Sequence, residues 1–525
     1  MTNSFSRSVN LHLASVNDKI WDIIIIGGGA TGLGAAVDAA TRGLSTLLLE
    51  QADFAKGTSS RATKLVHGGV RYLAQGDIAL VREALRERGL LLKNAPHLVK
   101  NQSFIIPNYS WWDGVFYTVG LTAYDLLAGK LSLGRAAHIN KQQVLKRLPT
   151  IQDRNLHGGV VYHDGQFDDA RLAINLAQTA IEQSAVVLNY VKVVALEKDA
   201  DGKVAGIKAV DIETEVSYTF KARTVINATG IFVDEILRMD APEKKPMVRP
   251  SQGVHLVLDA SFMPAEDALM IPKTSDGRVL FAVPWHGKLL VGTTDTLIEE
   301  SSTEPVALES EIKFILDTAG QYLTKAPMRH DVLSVFAGLR PLAAPQKGSS
   351  KTKEISRSHK IITSDTGLIT ITGGKWTTYR RMGEDVVNVA VKMGKLKAGP
   401  SKTANLAIHG SLPNPDHNTH WYVYGADRRL IHTLTKENPD WANRVHPDDE
   451  YTRAEVIWSV RNEMARTVED ILARRVRVLF LNARLAIQMA SAVAELMAGQ
   501  LNKDMEWQRQ QIEAFNTVAE KYILK

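Results

Sequence analysis

Four consecutive isoleucines, at 23–26, open the most regular stretch of the chain. An apolar run with no polar alternation predicts a strand covered on both faces, as in a parallel sheet. Small residues follow at helical spacing over 30–41, Gly43 ends them, and LSTLLLE at 44–50 is a second apolar run. The whole of 21–50 therefore predicts one βαβ unit. Over 77–92 apolar residues recur at helical spacing among Arg and Glu, which predicts an amphipathic helix packed on the sheet. FDDARL at 167–172 opens another helix, with Asp168 or Asp169 as its N-cap carboxylate. A catalytic carboxylate is the alternative there, and capping accounts for the residue without it.

The rhythm then changes to alternation. Stretches at 185–199, 204–213 and 216–230 predict an antiparallel layer with Asp201 and Gly202 as a turn, and TVINATG at 224–230 returns to the first sheet. Alternation resumes over 249–294 and predicts a second sheet. GLITITGG at 367–374 reads as a further strand of the first one. Pro, Gly and Ser collect over 399–415 as a linker, and helical periodicity over 452–480, 482–499 and 503–523 predicts a terminal helical unit.

A length of 525 residues exceeds one core, so two or three units are expected. The composition, 45% apolar and 23% charged, is that of an ordinary globular protein. With no cysteine there is no disulfide, thiolate metal site, cysteine nucleophile or cysteinyl flavin link, and no metal site is predicted. A formal charge of +6 favours anionic partners. No zinc-finger spacing, RNP-like aromatic motif or arginine-rich tail points to nucleic acid. Residues 1–18 are polar, lack an apolar signal core and read as a loose extension. No run approaches the ~18–20 apolar residues that span a bilayer.

Candidate chemistry begins at the first turn. Gly27, Gly29 and Gly32 fill a GxGxxG pattern between strand and helix. The first permits the tight turn, the second lets a pyrophosphate approach the backbone, and the third allows close helix packing. The helix N-terminus adds N–H donors and partial positive charge. Glu50 lies 21 residues after Gly29, where a carboxylate can accept both hydroxyls of an adenosine ribose. The glycines alone do not choose between NAD and FAD, but a site near the N-terminus with a long remainder to cover an extended cofactor favours FAD. Residues 51–77 are dense in Gly, Ser, Thr and cations, suited to wrapping a ligand. Thr58, Ser59 and Ser60 can donate to a pyrophosphate or ribityl chain, and Lys64, His67 and Arg71 follow. Gly230 ends the returning strand where a backbone can come close to the cofactor.

TSSRATKLVHGGVRYL at 58–73 resembles the segment after the second strand in FAD-dependent glycerol-3-phosphate dehydrogenases, the quinone-reducing enzymes of respiratory membranes. NATG at 227–230, GTTD at 292–295, GLRPL at 338–342, GGKWTTYRRM at 373–382 and EMARTVEDILARR at 463–475 strengthen the match, which covers about 22–477. The resemblance implies an α/β fold: a Rossmann-like FAD-binding domain, an antiparallel-sheet substrate domain and a C-terminal helical domain. Boundaries are expected at 1–18 for the extension, 19–95, 155–245 and 335–395 for the FAD unit, 96–154 and 246–334 for the substrate unit, and 400–525 for the helical unit.

In the resembled family, positions matching Arg71, Arg340 and Lys375 are cations of the substrate pocket, and Tyr72 and Thr294 are expected beside them. Gly374 and Thr377 join the cofactor residues. The implied reaction oxidises sn-glycerol 3-phosphate to dihydroxyacetone phosphate: cations hold the phosphate, a base takes the C2 proton, and hydride passes to the flavin. His255 is the first candidate for the base and His67 the second, although a lone histidine on an alternating strand is ordinarily structural. The short polar stretch 343–359 leaves no room for the larger insertion of related oxygen-reducing oxidases, which favours a membrane quinone as acceptor. The implied location is cytoplasmic, on the inner face of the cytoplasmic membrane, with a phospholipid surface as partner and room for a homodimer. Trp111 and Trp112 lead into 114–129, either a core helix or an interfacial anchor. The basic cluster 473–477 reads as a solvated helix face, with phospholipid or subunit contact as the alternative. Two rivals remain at this stage, an amino-acid or sarcosine type oxidase and a non-catalytic flavin-binding protein.

Overall fold

The computed structural model describes residues 4–16, 19–69, 76–243, 245–272, 274, 277–343 and 359–525. Its first sheet is built on the isoleucine strand Ile20–Ile26, which pairs in parallel with Thr46–Leu49 on one side and Ser217–Asn227 on the other. Val186–Leu188 and Ile369–Thr372 extend the parallel set, and Val191–Lys198, Val204–Asp211 and Lys360–Thr363 add antiparallel strands. Both faces of the central strand are covered. Ile23 and Ile25 pack with the helices Ala30–Thr41, Asp169–Glu182 and Tyr379–Met393, while Ile24 and Ile26 pack with Ile207, Phe220 and Leu237. Each fully buried isoleucine side chain contributes ~1.5–3 kcal/mol before entropy, so the polar-free run stabilises this one arrangement.

The second sheet runs Thr296–Leu297, Val248–Asp259, Lys288–Gly292, Leu280–Trp285, Ala268–Ile271, Val99–Asn108, Gly158–Phe167 and Leu65–Val66, with Ser334–Ala343 paired along Val248–Asp259. Alternation divides its faces. Ile105, Val161, Leu269 and Ala282 join one core cluster with residues of the helices Lys141–Arg147 and Glu309–Tyr322, while Phe104, Tyr162, Met270 and Phe281 belong to another. Gly158–Phe167 and Ser334–Ala343 hydrogen-bond in this sheet, although the sequence boundaries place both stretches with the nucleotide unit.

Three other expectations change. Residues 7–14 form a docked helix, not a loose extension: Arg7 is buried, bonds the Asn189 carbonyl and pairs with Asp211 and Glu213. The helical stretch 452–480 is interrupted: Arg453–Asn462 ends near Met464 at φ +55°, a π-helical turn follows at Asp470–Arg475, and Arg477 sits at φ +64°. Finally, the basic cluster is neither solvated nor free to meet lipid. Arg474, Arg475 and Arg477 are buried against Asp53, Asp169 and the neighbouring Asp470, because the first two, distant in sequence, converge on them in the fold. Asp168 is an N-cap as expected, accepting from Arg171 N–H at 3.0 Å, and Asp169 is absorbed by Lys64 and Arg477.

Candidate active site

At the first turn Gly27 adopts φ +110°, and a Cβ on Gly32 would stand 1.9 Å from the Gly27 carbonyl oxygen. No other residue fits at 32 without opening the turn. Ala30 N–H, at the head of the helix, donates to Ser59 Oγ at 3.0 Å, and Gly29 faces the same hydroxyl. Glu50 ends the second strand, where its carboxylate accepts from Gly28 N–H at 2.6 Å and Ala52 N–H at 2.9 Å. Burial holds its pKa above the ordinary carboxylate value, and those donors offset only part of that rise. Gly27, Gly29, Glu50, Thr58, Ser59 and Gly230 line one continuous groove. Ser60 turns its hydroxyl inward to the Gly57 carbonyl, away from that groove.

The groove continues into a second cavity, with Thr58, Pro341, Gly373, Gly374, Lys375 and Trp376 common to both. Gly373 and Gly374, at φ +77° and +79°, turn the chain after the strand Ile369–Thr372. Trp376 Nε1–H then donates to the Ser59 carbonyl at 2.9 Å, and Thr377 Oγ1 accepts from His67 N–H at 3.2 Å. Two distant segments, 58–67 and 373–377, are thereby locked side by side.

His255 and Arg340 reach this cavity from paired strands, with Ser251 opposite Arg340 and Phe336 opposite His255 in the register. The His255 ring is 2% exposed, stacks on Phe336 at 5.0 Å and places Nε2 3.0 Å from Thr63 Oγ1. Its Nδ1 is buried with no hydrogen-bond partner among the described residues. Burial pushes its pKa well below the ordinary histidine value, and Lys64 and Arg340 push the same way, so the imidazole is neutral. Arg340 donates to the Gln252 carbonyl at 3.3 Å and, through Nη2, to Thr293 Oγ1 and the Thr294 carbonyl at 3.1 Å each, with Asp295 3.5 Å away. The guanidinium is thus pre-aimed.

Thr294 lines this cavity. Its hydroxyl donates to Glu311 and accepts from Val254 N–H, so Thr293 supplies the hydroxyl beside Arg340. Arg71 and Tyr72 lie outside the described residues. Two cations that the sequence reading passed over also line the cavity, Arg61 and Arg278. Arg61 stood inside the quoted 58–73 motif, while Arg278 had no motif to mark it. Phe104, Tyr162, Met270, Val279 and Phe281 add apolar lining to the same cavity.

Residues 22–380 match the family model described as FAD dependent oxidoreductase, and 364–510 match the C-terminal domain of alpha-glycerophosphate oxidase. The chain is 40% identical to the mitochondrial glycerol-3-phosphate dehydrogenase of Rattus norvegicus, over 93% of this chain and 71% of the relative. The Macaca fascicularis enzyme of the same name is also 40% identical, over 97% and 74%. Among solved structures, a glycerol-3-phosphate dehydrogenase from Bacillus halodurans complexed with FAD superimposes with a TM-score of 0.81 at 30% identity, covering 100% of this chain and 99% of that one.

Proposed function

The chain belongs to the FAD-dependent oxidoreductases and, within them, to the glycerol-3-phosphate dehydrogenases; from that premise we propose that it oxidises sn-glycerol 3-phosphate to dihydroxyacetone phosphate and passes the electrons to a membrane quinone. FAD is its cofactor, and the groove suits it. Gly27 and Gly29 leave the backbone bare where a pyrophosphate would lie, Gly32 keeps the turn closed behind them, Glu50 stands where a ribose would end, and the groove opens on the cavity at Lys375. When bound, the flavin supplies the acceptor for hydride from C2 and a store for two electrons.

The observation that carries this reading is a neutral, buried histidine and a tethered arginine opening on one cavity beside the glycine-cornered groove. Arg340 presents a planar fork to a phosphate dianion, and Lys375 adds a point charge at the junction with the groove. His255 accepts the C2 hydroxyl proton, with His67, on the opposite side of the chain lock to Thr377, as the second candidate. The test is anaerobic mixing of the yellow protein with glycerol 3-phosphate. Bleaching of the flavin is the expected outcome; a coloured protein indifferent to the substrate would leave only the cofactor half of the reading.

For the acceptor, the apolar lining suits the apolar body of a quinone. Among the described residues no helix is long and apolar enough to cross a membrane. The helix Trp111–Ala128 nevertheless exposes Trp112, Phe116 and Val119 at 72%, 66% and 66%, while Leu121 and Tyr124 pack inward. Contiguous apolar exposure of this kind marks an interaction surface. Arg82, Arg86, Lys130 and Arg135 are exposed on this helix's neighbour and on the stretch just after it, a cationic fringe suited to anionic headgroups. We place the phospholipid contact here. Replacing Phe116 and Val119 together by glutamate should abolish co-flotation with anionic vesicles while leaving turnover with a water-soluble dye unchanged; undiminished flotation would move the contact elsewhere.

A further inference from the structure

Both cavities are lined by residues no later in the chain than Met382, yet the segment 53–64, which contributes to the walls of both, is also held from behind at Asp53, Lys56 and Ser60 by residues 463–477. Asp53, fully buried, accepts from Arg474 Nε–H at 2.6 Å and from both Arg475 Nη groups at 2.7 and 3.0 Å. Arg475 is anchored in turn by the Glu463 carbonyl at 2.7 Å, and the Glu463 carboxylate is gripped by Arg171 at 2.8 Å. Lys56 is paired with Glu469. At the far end Arg477 Nη2–H donates to the Ser60 carbonyl at 3.0 Å and to Asp169 Oδ1 at 2.9 Å.

Those last contacts lead directly to the chemistry. Asp169 also accepts from the Lys64 ammonium and, at 2.9 Å, from Ala62 N–H, so it tethers the residues on both sides of Thr63, one through its backbone and one through its side chain. Thr63 Oγ1 is the group 3.0 Å from His255 Nε2. On the other side of Ser60, Ser59 caps the N–H of Ala30 at the glycine corner. One buried guanidinium from the C-terminal unit thus sits between the phosphate-binding helix end and the candidate base. Arg477 occupies a left-handed backbone conformation, φ +64°, which a non-glycine residue adopts only where surrounding contacts hold it.

We propose that the C-terminal helical unit is a clamp on the flavin site and that Arg477 is its positioning residue, setting the segment Ser60–Thr63 and through Thr63 the orientation of His255. The proposal rests on the reading of the chain as a glycerol-3-phosphate dehydrogenase. A purely structural arginine would lower melting temperature and the fraction of protein that holds flavin, but each flavin that remained would react normally. A positioning arginine changes the chemistry of every bound flavin, since a misplacement of about 1 Å can cost about 10²-fold in rate.

The test compares full-length wild type, Arg477→Met and Arg477→Lys, each loaded with FAD. Two quantities are followed, the rate of FAD release and the limiting rate of anaerobic bleaching per bound flavin at saturating glycerol 3-phosphate. For Arg477→Met we expect faster FAD release and bleaching slowed by about 10²-fold. The substrate concentration for half-maximal bleaching should stay near that of wild type, because Arg340 is untouched. Arg477→Lys keeps the charge and should recover part of the rate. Bleaching per bound flavin equal to wild type in Arg477→Met, whatever its melting temperature, would overturn the proposal. If Arg477→Met does not fold, Thr63→Val takes its place: it leaves the clamp intact and should slow bleaching without hastening FAD release, and an unchanged rate would overturn the route to His255. A wild type that fails to bleach would sink the functional reading instead, and the FAD-release comparison would still decide whether the clamp holds the cofactor segment.

Discussion

Replacing His255 by asparagine is expected to slow the limiting rate of flavin reduction by about 10²–10⁴-fold, the usual contribution of a positioned general base, while FAD stays bound. The base must be unprotonated before it can act. Burial, aided by the nearby Lys64 and Arg340 charges, drives the His255 pKa well below 6.5, so the imidazole is neutral throughout the physiological range. Whichever tautomer it adopts, one ring nitrogen is bare, and Thr63 can satisfy the other. A buried polar atom without a partner is costly, and Nδ1 is such an atom among the described residues. Activity measured against pH follows from the sign of the shift. A depressed pKa keeps the base competent as pH falls through 6.5, so the limiting reduction rate should be flat there and decline only in more acid solution. kcat/KM will carry a separate limb from the second ionisation of the substrate phosphate, near pH 6, which is why the saturated rate is the one to read. An acid limb at or above pH 6.5 in the saturated rate, or an asparagine variant that reduces flavin at the wild-type rate, would remove His255 from the role.

The nucleotide unit was legible in the sequence because its physics is local. Strand, glycine corner, helix and second strand follow one another within 21–50, and Gly29 and Gly32 answer to contacts inside that stretch or just beside it, while Gly27 makes room for the backbone of Ala228. Alternation likewise exposed the second sheet, since a period of two depends only on neighbours. Residues 473–477 were misread for the opposite reason. A run of arginines is ordinarily solvated, and what buries these is a set of carboxylates at 53, 168, 169 and 463, most of them hundreds of positions away. The docked N-terminal helix was hidden in the same way, its anchor being Asp211. Arg278 went unnoticed because it stands between the strands Ala268–Ile271 and Leu280–Trp285 with no motif around it, and only the fold brings it to the cavity.

Replacing Arg340 by alanine should raise KM for glycerol 3-phosphate by about 10²-fold or more, since two charge-assisted hydrogen bonds at ~1.5–3 kcal/mol each would be lost. Lysine should restore only part of this, because a point charge cannot reproduce the fork that Thr293, the Thr294 carbonyl and Asp295 hold in place. The same substitution carries a second consequence of fixed sign. Arg340 is one of the two cations that depress the His255 pKa, so its removal makes protonation of that ring easier and raises the pKa. In Arg340→Ala the acid limb of the saturated reduction rate should therefore move to higher pH, whereas Arg340→Lys, which keeps a charge, should leave it nearly where the wild type has it. A weakened KM with an unmoved acid limb would mean that Arg340 binds the phosphate but that His255 is not the group whose ionisation limits the reaction. A moved limb with an unchanged KM would mean the reverse. Both changes together are what the reading requires, because one guanidinium would hold the anion and also adds to the burial and the Lys64 charge that keep the base neutral.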